Sequence, residues 1–291
     1  MRLRTITGIL ALLALLFCAY TLHGGLAALY DTYPTEFRSY YIPSSGFLKV
    51  ASFGQENFWA DLIFIWSIQF FDRYGDQVRD TYLFHTYDVI TDLDPLFTEA
   101  YVFGNLFLSL DHRWDLIYKL TDKSLSSDQK MWLPAWDAGT YAFFQAHDYP
   151  SAQKYFSIAY ARNPKGTIVQ RMLANALKYA GQYEEALGYW SDILKENEGK
   201  DDSWSHFLVF TARHNIFDLT IKIDLRDLKA AVDRYQKEKG ALPKSLDALV
   251  KAGLLASLPL DPEGKPYVYN SKTGEVSCES PFKFKGKFGQ W

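Results

Sequence analysis

The sequence predicts a mainly α-helical protein: a superhelix of helical hairpins, preceded by one N-terminal transmembrane helix and followed by a small α+β domain. Three observations predict it. An almost uninterrupted apolar run extends from Ile6 to Leu29. From about residue 57 to 214 apolar residues recur with helical periodicity, and Asp94-Pro95 and Asn163-Pro164 close amphipathic segments 69 residues apart. Beyond residue 214 that pattern gives way to one helix and then to closely spaced prolines and glycines. The segments are therefore 1–30 (anchor), 31–56 (juxtamembrane linker), 57–214 (hairpins) and 215–291 (α+β domain and tail).

Arg2 and Arg4 precede the apolar run, and His23 is its only strongly polar member. A helix of that length rises roughly 36 Å, enough for a bilayer core of about 30 Å. Positive charge before the span and none close behind it places the N-terminus inside and the rest of the chain across the membrane. The expected location is thus the inner (cytoplasmic) membrane of a bacterial envelope, single-pass, with the bulk of the chain periplasmic. Two other readings stay open. Gly25-Leu26-Ala27 is a passable signal-peptide cleavage site. A lipoprotein signal at Cys18 fits less well, because Leu16-Phe17 stands where a small residue should precede the acylated cysteine. From Asp31 to Glu56, Pro34, Pro43 and Ser44-Ser45-Gly46 are expected to interrupt any helix, while Tyr30, Tyr33, Tyr40 and Tyr41 supply interfacial aromatics. This linker would lie against the membrane or the first hairpin.

In the next segment, one repeat aligns on Pro164. Trp136 opens its first helix, with Gly139 and Phe143 at packing positions, and Ala152, Phe156 and Ala159 line its second. Asp148-Tyr149-Pro150 makes the turn. The following stretch repeats the scheme with Leu173, Ala174 and Leu177, the turn Gly181-Gln182-Tyr183, then Ala186, Trp190 and Ile193. This spacing resembles the tetratricopeptide family, whose period is about 34 residues. Trp66, Phe70, Tyr74, Tyr87, Ile90 and Pro95 fit a diverged repeat upstream, and Tyr101, Gly104, Leu108 and Ile117 fit another loosely. Trp204, Phe207 and Leu208 start a capping helix. One hairpin cannot bury its apolar face alone, so several stacked units with a cap are expected.

The C-terminal part carries a helix from about Phe217 to Lys239 with Leu225, Leu228, Val232 and Tyr235 on one face, ended by Gly240. Leu242-Pro243, a short helix over Ser245–Val250 with a capping serine, and then Leu258-Pro259, Asp261-Pro262, Gly264, Pro266-Tyr267, Tyr269 and Gly274-Glu275-Val276 follow. That order is similar to the globular part of the major pseudopilin of type II secretion over roughly 65 residues. Here, however, the membrane helix lies about 190 residues upstream rather than directly before the domain. The loop Asn270-Ser271-Lys272-Thr273-Gly274 has no carboxylates, so the calcium site common in that family is not carried over.

No catalytic constellation emerges. The six histidines, among them His85, His112, His147 and His206, lack metal-ligand spacing and read as helix-face or turn residues. Asp92 and Asp94 read as turn chemistry before Pro95, and Asp201-Asp202 as charge favouring a helix N-terminus. Cys18 and Cys278 are too far apart in sequence and setting to suggest pairing. A hydrophobic fraction of 48% and an aromatic fraction of 17% suit a packed core, and a net charge of −3 argues against nucleic-acid binding. The expectation is a non-enzymatic, protein-binding scaffold or assembly factor of an envelope complex, with no cofactor, metal or small-molecule substrate. An envelope enzyme of unrecognised chemistry, or an accessory subunit of a respiratory or transport complex, is the alternative. Tetratricopeptide proteins present the inner faces of their first helices to ligand. That resemblance implies Tyr141, Phe144 and Gln145 from one repeat, and Arg171, Asn175, Lys178 and Tyr179 from the next. Should these prove to be spacer, the surface around Pro266, Tyr267 and Tyr269 is the next candidate.

Overall fold

Helices pair along this chain wherever a short polar turn separates two apolar stripes. The structure, a computed structural model, describes residues 13–14, 16–25, 42–70 and 76–280, with side chains of 70 and 76–81 left aside. The described residues fall into two compact units, within 1–128 and 129–291. Of the apolar N-terminal run, residues 16–25 are helical; the rest, with the linker residues 31–41 and Tyr74, lies mostly outside the described residues. Among the described residues no helix is long and apolar enough to cross a membrane.

The first unit contains α1 (Ser45–Ala51), α2 (Glu56–Phe70), α3 (Asp76–Leu93), α4 (Thr98–Leu110) and α5 (Trp114–Ser127). Helix α1 corrects the expectation that residues 42–51 are irregular. Ser44 caps it, its hydroxyl accepting from the Phe47 N–H, so the serine that was expected to break a helix begins one. Ile42 and Leu48 are buried, and the Ser45 hydroxyl donates to Asp92 at 2.6 Å. Asp92 is therefore not turn chemistry. It shares Lys123 with Asp88, both carboxylates lying 2.7 Å from the ammonium, whereas Asp94 does serve its turn by accepting from the Leu96 N–H. Burial works against ionisation of Asp92, but the hydrogen bonds from Lys123 and Ser45 and the lysine's charge outweigh it and lower the pKa. Hairpins α2–α3 and α4–α5 close over Tyr87, Ile90, Tyr101, Leu108, Ile117 and Leu120, all fully buried.

The second unit runs α6 (Leu133–Tyr141), one π-helical turn (Ala142–Ala146), α7 (Tyr149–Arg162), α8 (Thr167–Tyr179), α9 (Tyr183–Asn197), α10 (Ser203–Lys239) and α11 (Asp247–Lys251). Strands β1 (Val268–Tyr269) and β2 (Val276–Ser277) then pair antiparallel, Val268 opposite Ser277. Consecutive helices from α6 to α10 pack on one another. Three hairpins turn the same way. His112, His147 and Gly181 are left-handed, and the next residue's N–H reaches back to Leu108, Ala142 and Leu177 respectively. These positions lie 35 and 34 residues apart, so the period is a repeat of backbone geometry. Asp148 and Asp202 cap α7 and α10 by accepting from the Ser151 and Ser205 N–H groups.

Two expectations for the C-terminal part change. The capping helix and the helix expected from Phe217 are one 37-residue helix, because neither glycine nor proline occurs between Ser203 and Lys239. The expected boundary at 214/215 thus falls inside a helix. Leu208, Ala212 and Leu219 are buried in its first half, and Leu228, Ala231 and Val232 join Leu246, Leu249 and Tyr267 in a second small core. Ser245, expected to cap α11 with its side chain, instead accepts from the Ala248 N–H through its backbone carbonyl. Asp261 does fix its Pro/Gly turn, accepting from the Glu263 and Lys265 N–H groups at 2.9 Å.

Helix approach depends on missing atoms. A Cβ at Gly139 would lie 2.7 Å from the ring of Phe156, and one at Gly104 would lie 2.5 Å from Leu120. A Cβ at Gly188 in α9 would meet nothing within 4 Å. Opposite outcomes follow from the same change. Gly139→Ala is expected to lose about 1–3 kcal/mol through overpacking, while Gly188→Ala gains up to ~1 kcal/mol of helix propensity. Urea unfolding of both variants measures the two signs.

Candidate partner-binding surface

Four aromatic rings gather at the turn end of the second unit's hairpins. The left-handed His147 reverses the chain after the π-helical turn and brings Tyr149 back beside Phe143, with ring centroids 5.5 Å apart. Tyr179, at the C-terminal end of α8, stacks on Tyr149 at 5.1 Å and meets Phe143 edge-on at 5.5 Å. Phe144 adds a fourth ring 4.9 Å from Phe143. Phe144 and Tyr179 remain 59% and 58% exposed, so two braced rings face solvent. Beside them, Gln153 and Gln182 exchange two hydrogen bonds of 2.8 and 2.9 Å between the α7 end and the α8–α9 turn.

The expected site residues separate into two groups. Phe144 and Tyr179 join this cluster; Gln145 next to them is exposed, and Tyr141 is half-buried on the preceding turn. Arg171 and Lys178 do not face a solvated groove, which corrects the expectation for both. Their side chains reach α10 within the same unit. The Arg171 guanidinium lies 5.1 Å from the Phe207 ring centroid and 5.7 Å from that of Trp204. Its Nε is buried with no hydrogen-bond partner among the described residues, and burial lowers its pKa. Lys178 lies 2.6 Å from Asp218 and donates to the Asn215 side chain at 3.1 Å. Asn175, half-buried, sits between them on the same i, i+4, i+7 stripe. Periodicity alone assigned this stripe to solvent because it opposes Leu173 and Leu177. The sequence signal that could have placed it is the complementary set Trp204, Phe207, Asn215 and Asp218, which recurs with helical spacing on α10.

A second candidate surface lies in the C-terminal part of the same unit. A cleft of about 400 Å³ is lined by Leu228, Lys244, Leu258, Pro266, Tyr267 and Tyr269, with other residues of the α11 and Pro/Gly turns. Its tyrosines are held from behind. The Tyr267 hydroxyl donates to Asp224 at 2.6 Å, and that of Tyr269 to the Pro243 carbonyl at 2.9 Å. Burial, and then the Asp224 carboxylate, raise the Tyr267 pKa, so the phenol stays protonated and holds this contact.

Asp137 on α6 was not singled out by sequence. Burial pushes its carboxyl up to about 7, and Oδ2 is buried with no hydrogen-bond partner among the described residues. It is not among the residues lining the cleft. Among the described residues there is no group of three or more His, Cys, Asp or Glu placed to hold a metal ion. Comparison with family models finds no match for this chain, and comparison with curated proteins finds none either.

Two outcomes test these assignments. Lys178→Ala is expected to destabilise the fold by about 1–3 kcal/mol, since it strands the half-buried Asp218 and the buried Asn215, and Arg171→Ala by about 0.5–1 kcal/mol, since its ring partners Trp204 and Phe207 are exposed. Denaturant titration of the single variants checks this. For Asp137, a folded-state pKa above the ordinary carboxyl value means that the folded chain binds the proton more tightly than the unfolded chain. Its effect on stability is most favourable at acid pH, declines as pH rises toward about 7, and levels off above that. The Tm advantage of Asp137→Asn over the native chain should therefore grow from pH 5 to pH 8, which calorimetry at several pH values measures.

Proposed function

We propose that this protein is a single-pass inner-membrane protein of a bacterial envelope. Its bulk is extracytoplasmic and binds protein partners as a scaffold or assembly factor. The helical hairpins with a turn geometry recurring every 34–35 residues support a tetratricopeptide-type superhelix. The observation that carries the binding role is the pair of exposed rings, Tyr179 stacked on Tyr149 and Phe144 edge-on to Phe143, both braced rather than free to collapse. Aromatic side chains that are exposed and already ordered lose little conformational freedom on binding and dominate interface energetics. Gln145 and Tyr141 flank them with hydrogen-bonding groups.

The C-terminal cleft supplies a second contact surface on the same unit, so one molecule can join two components. The pseudopilin resemblance, carried by the Pro/Gly turns around Asp261 and Gly264, extends the proposal to a pilus or secretion-type machine. This extension rests on analogy of fold.

A double variant, Phe144→Ala with Tyr179→Ala, tests the reading in the full chain. Both rings are more than half exposed, so stability should fall by only about 1 kcal/mol, mostly lost stacking. Loss of central aromatic contacts should weaken partner binding by about 2 kcal/mol or more, roughly 30-fold. Native proteins that copurify with the tagged chain in mild detergent should drop out for the variant. A variant that melts normally and keeps every partner overturns the role assigned to these rings.

A further inference from the structure

Helix α2 is apolar on both of its sides. Inward, Ala60 is fully buried and the Phe64 ring meets Phe97 at 4.8 Å and Phe103 at 5.4 Å. Outward, Phe58, Leu62 and Ile65 follow the i, i+4, i+7 spacing of a single stripe and are 60%, 46% and 54% exposed. A helix that is hydrophobic all round normally has both sides covered. The short helix α1, which packs on α2 and α3, continues the pattern with Phe47 and Val50 exposed. Immediately after it, Phe53 takes a left-handed conformation (φ 49°), and the residue is 92% exposed. A phenylalanine in that region is unusual, and an outlier that also presents a bare ring to solvent calls for something outside the fold to receive it.

We propose that the outer face of α1 and α2 lies in the lipid interface of the membrane, with Phe47, Val50, Phe53, Phe58, Leu62 and Ile65 entering the headgroup–acyl boundary. The proposal rests on the membrane-anchor reading of residues 6–29. Chain length favours lipid as the occupant. Only residues 30–41 separate the apolar run from Ile42, and twelve residues reach at most about 40 Å when fully extended. An anchored chain therefore keeps α1 beside the bilayer at all times, at a high effective concentration. The residue chemistry agrees. Aromatic and aliphatic side chains on short helices, preceded in the sequence by tyrosines at 30, 33, 40 and 41, suit the interface. Lys49 is exposed on α1 and can meet lipid phosphate. Asp61 is exposed among the apolar residues of α2, and with only 15 residues the helix is too short to span. It lies along the surface with Asp61 turned toward headgroups.

The test uses the full chain with Cys18→Ser and Cys278→Ser, carrying a single new cysteine at Phe53→Cys or Leu62→Cys labelled with an environment-sensitive fluorophore. It is reconstituted into phosphatidylethanolamine–phosphatidylglycerol vesicles. Flotation reports the anchor, and quenching by doxyl-labelled lipid against aqueous iodide reports the face. Flotation with several-fold stronger quenching by the lipid than by iodide at both positions is the expected result. Flotation with iodide quenching dominant leaves the anchor standing and overturns the interface contact. Flotation with both quenchers excluded means that protein, a second copy or the chain's own apolar run, covers the face, which also overturns it. Failure to float overturns the anchor reading, and the inference falls with it.

Discussion

The approach of paired helices at positions too small for a side chain is the constraint on which the rest of the structure depends. Phe156 lies over Gly139, and Tyr87 and Leu120 over Gly104, at distances that leave no room for even a methyl group. Ala152, Ala159, Ala174 and Ala186 repeat the arrangement with fully buried methyls. Once backbones come this close, large residues such as Trp190 and Phe156 fill the space beside the contact, and interiors of this density do not adjust continuously. The hairpin turn is then set. The chain must reverse within a few residues, and left-handed His112, His147 and Gly181 accomplish this with a backward hydrogen bond from the next residue, reaching five residues back after His112 and Gly181 and six after His147.

That turn geometry has a consequence for the surface. At the second hairpin it delivers Tyr149 next to Phe143, and the neighbouring helix end delivers Tyr179. The exposed aromatic cluster therefore follows from how the hairpins close. Within the same unit, α8 has three distinct tasks on three stripes. Leu173 and Leu177 enter the core, Arg171 and Lys178 hold α10, and Tyr179 at its end joins the aromatic cluster. Helix α10 carries this order onward without interruption. Its first half covers the last hairpin, and Leu228 and Val232 in its second half found the small core under the β-hairpin. The two candidate surfaces of this unit are thus joined by one continuous helix.

The first unit solves a different problem. Its polar centre, Lys123 between Asp88 and Asp92 with Ser45 attached, ties α1, α3 and α5 together through charge-assisted hydrogen bonds. It is that attachment which holds α1 against the hairpins with Phe47 and Val50 turned outward. A polar network on one side and bare apolar residues on the other make α1 a bracket rather than a linker.

By itself the sequence determined the helical hairpins, their small-residue contacts and turns, and the Pro/Gly-governed C-terminal turns. All of these rest on local rules: periodicity sets the buried stripe, and Gly, Asp and Pro at fixed offsets set caps and reversals. Gly139, Ala152, Asp148 and Asp261 were readable for that reason. Sequence also read Phe144 and Tyr179 as solvent-facing, although it had no means of showing that their rings meet through Phe143 and Tyr149. Only the tertiary structure decided that Arg171 and Lys178, both half-buried, reach across to α10. Whether a charged stripe faces water or a neighbouring helix depends on a partner about 40 residues away in the chain, and periodicity carries no information about which side that partner occupies. The same holds for Ser44, whose role as cap rather than breaker was settled by Leu48 and Ile42 finding a core, and for Asp137, whose burial is a property of packing around it.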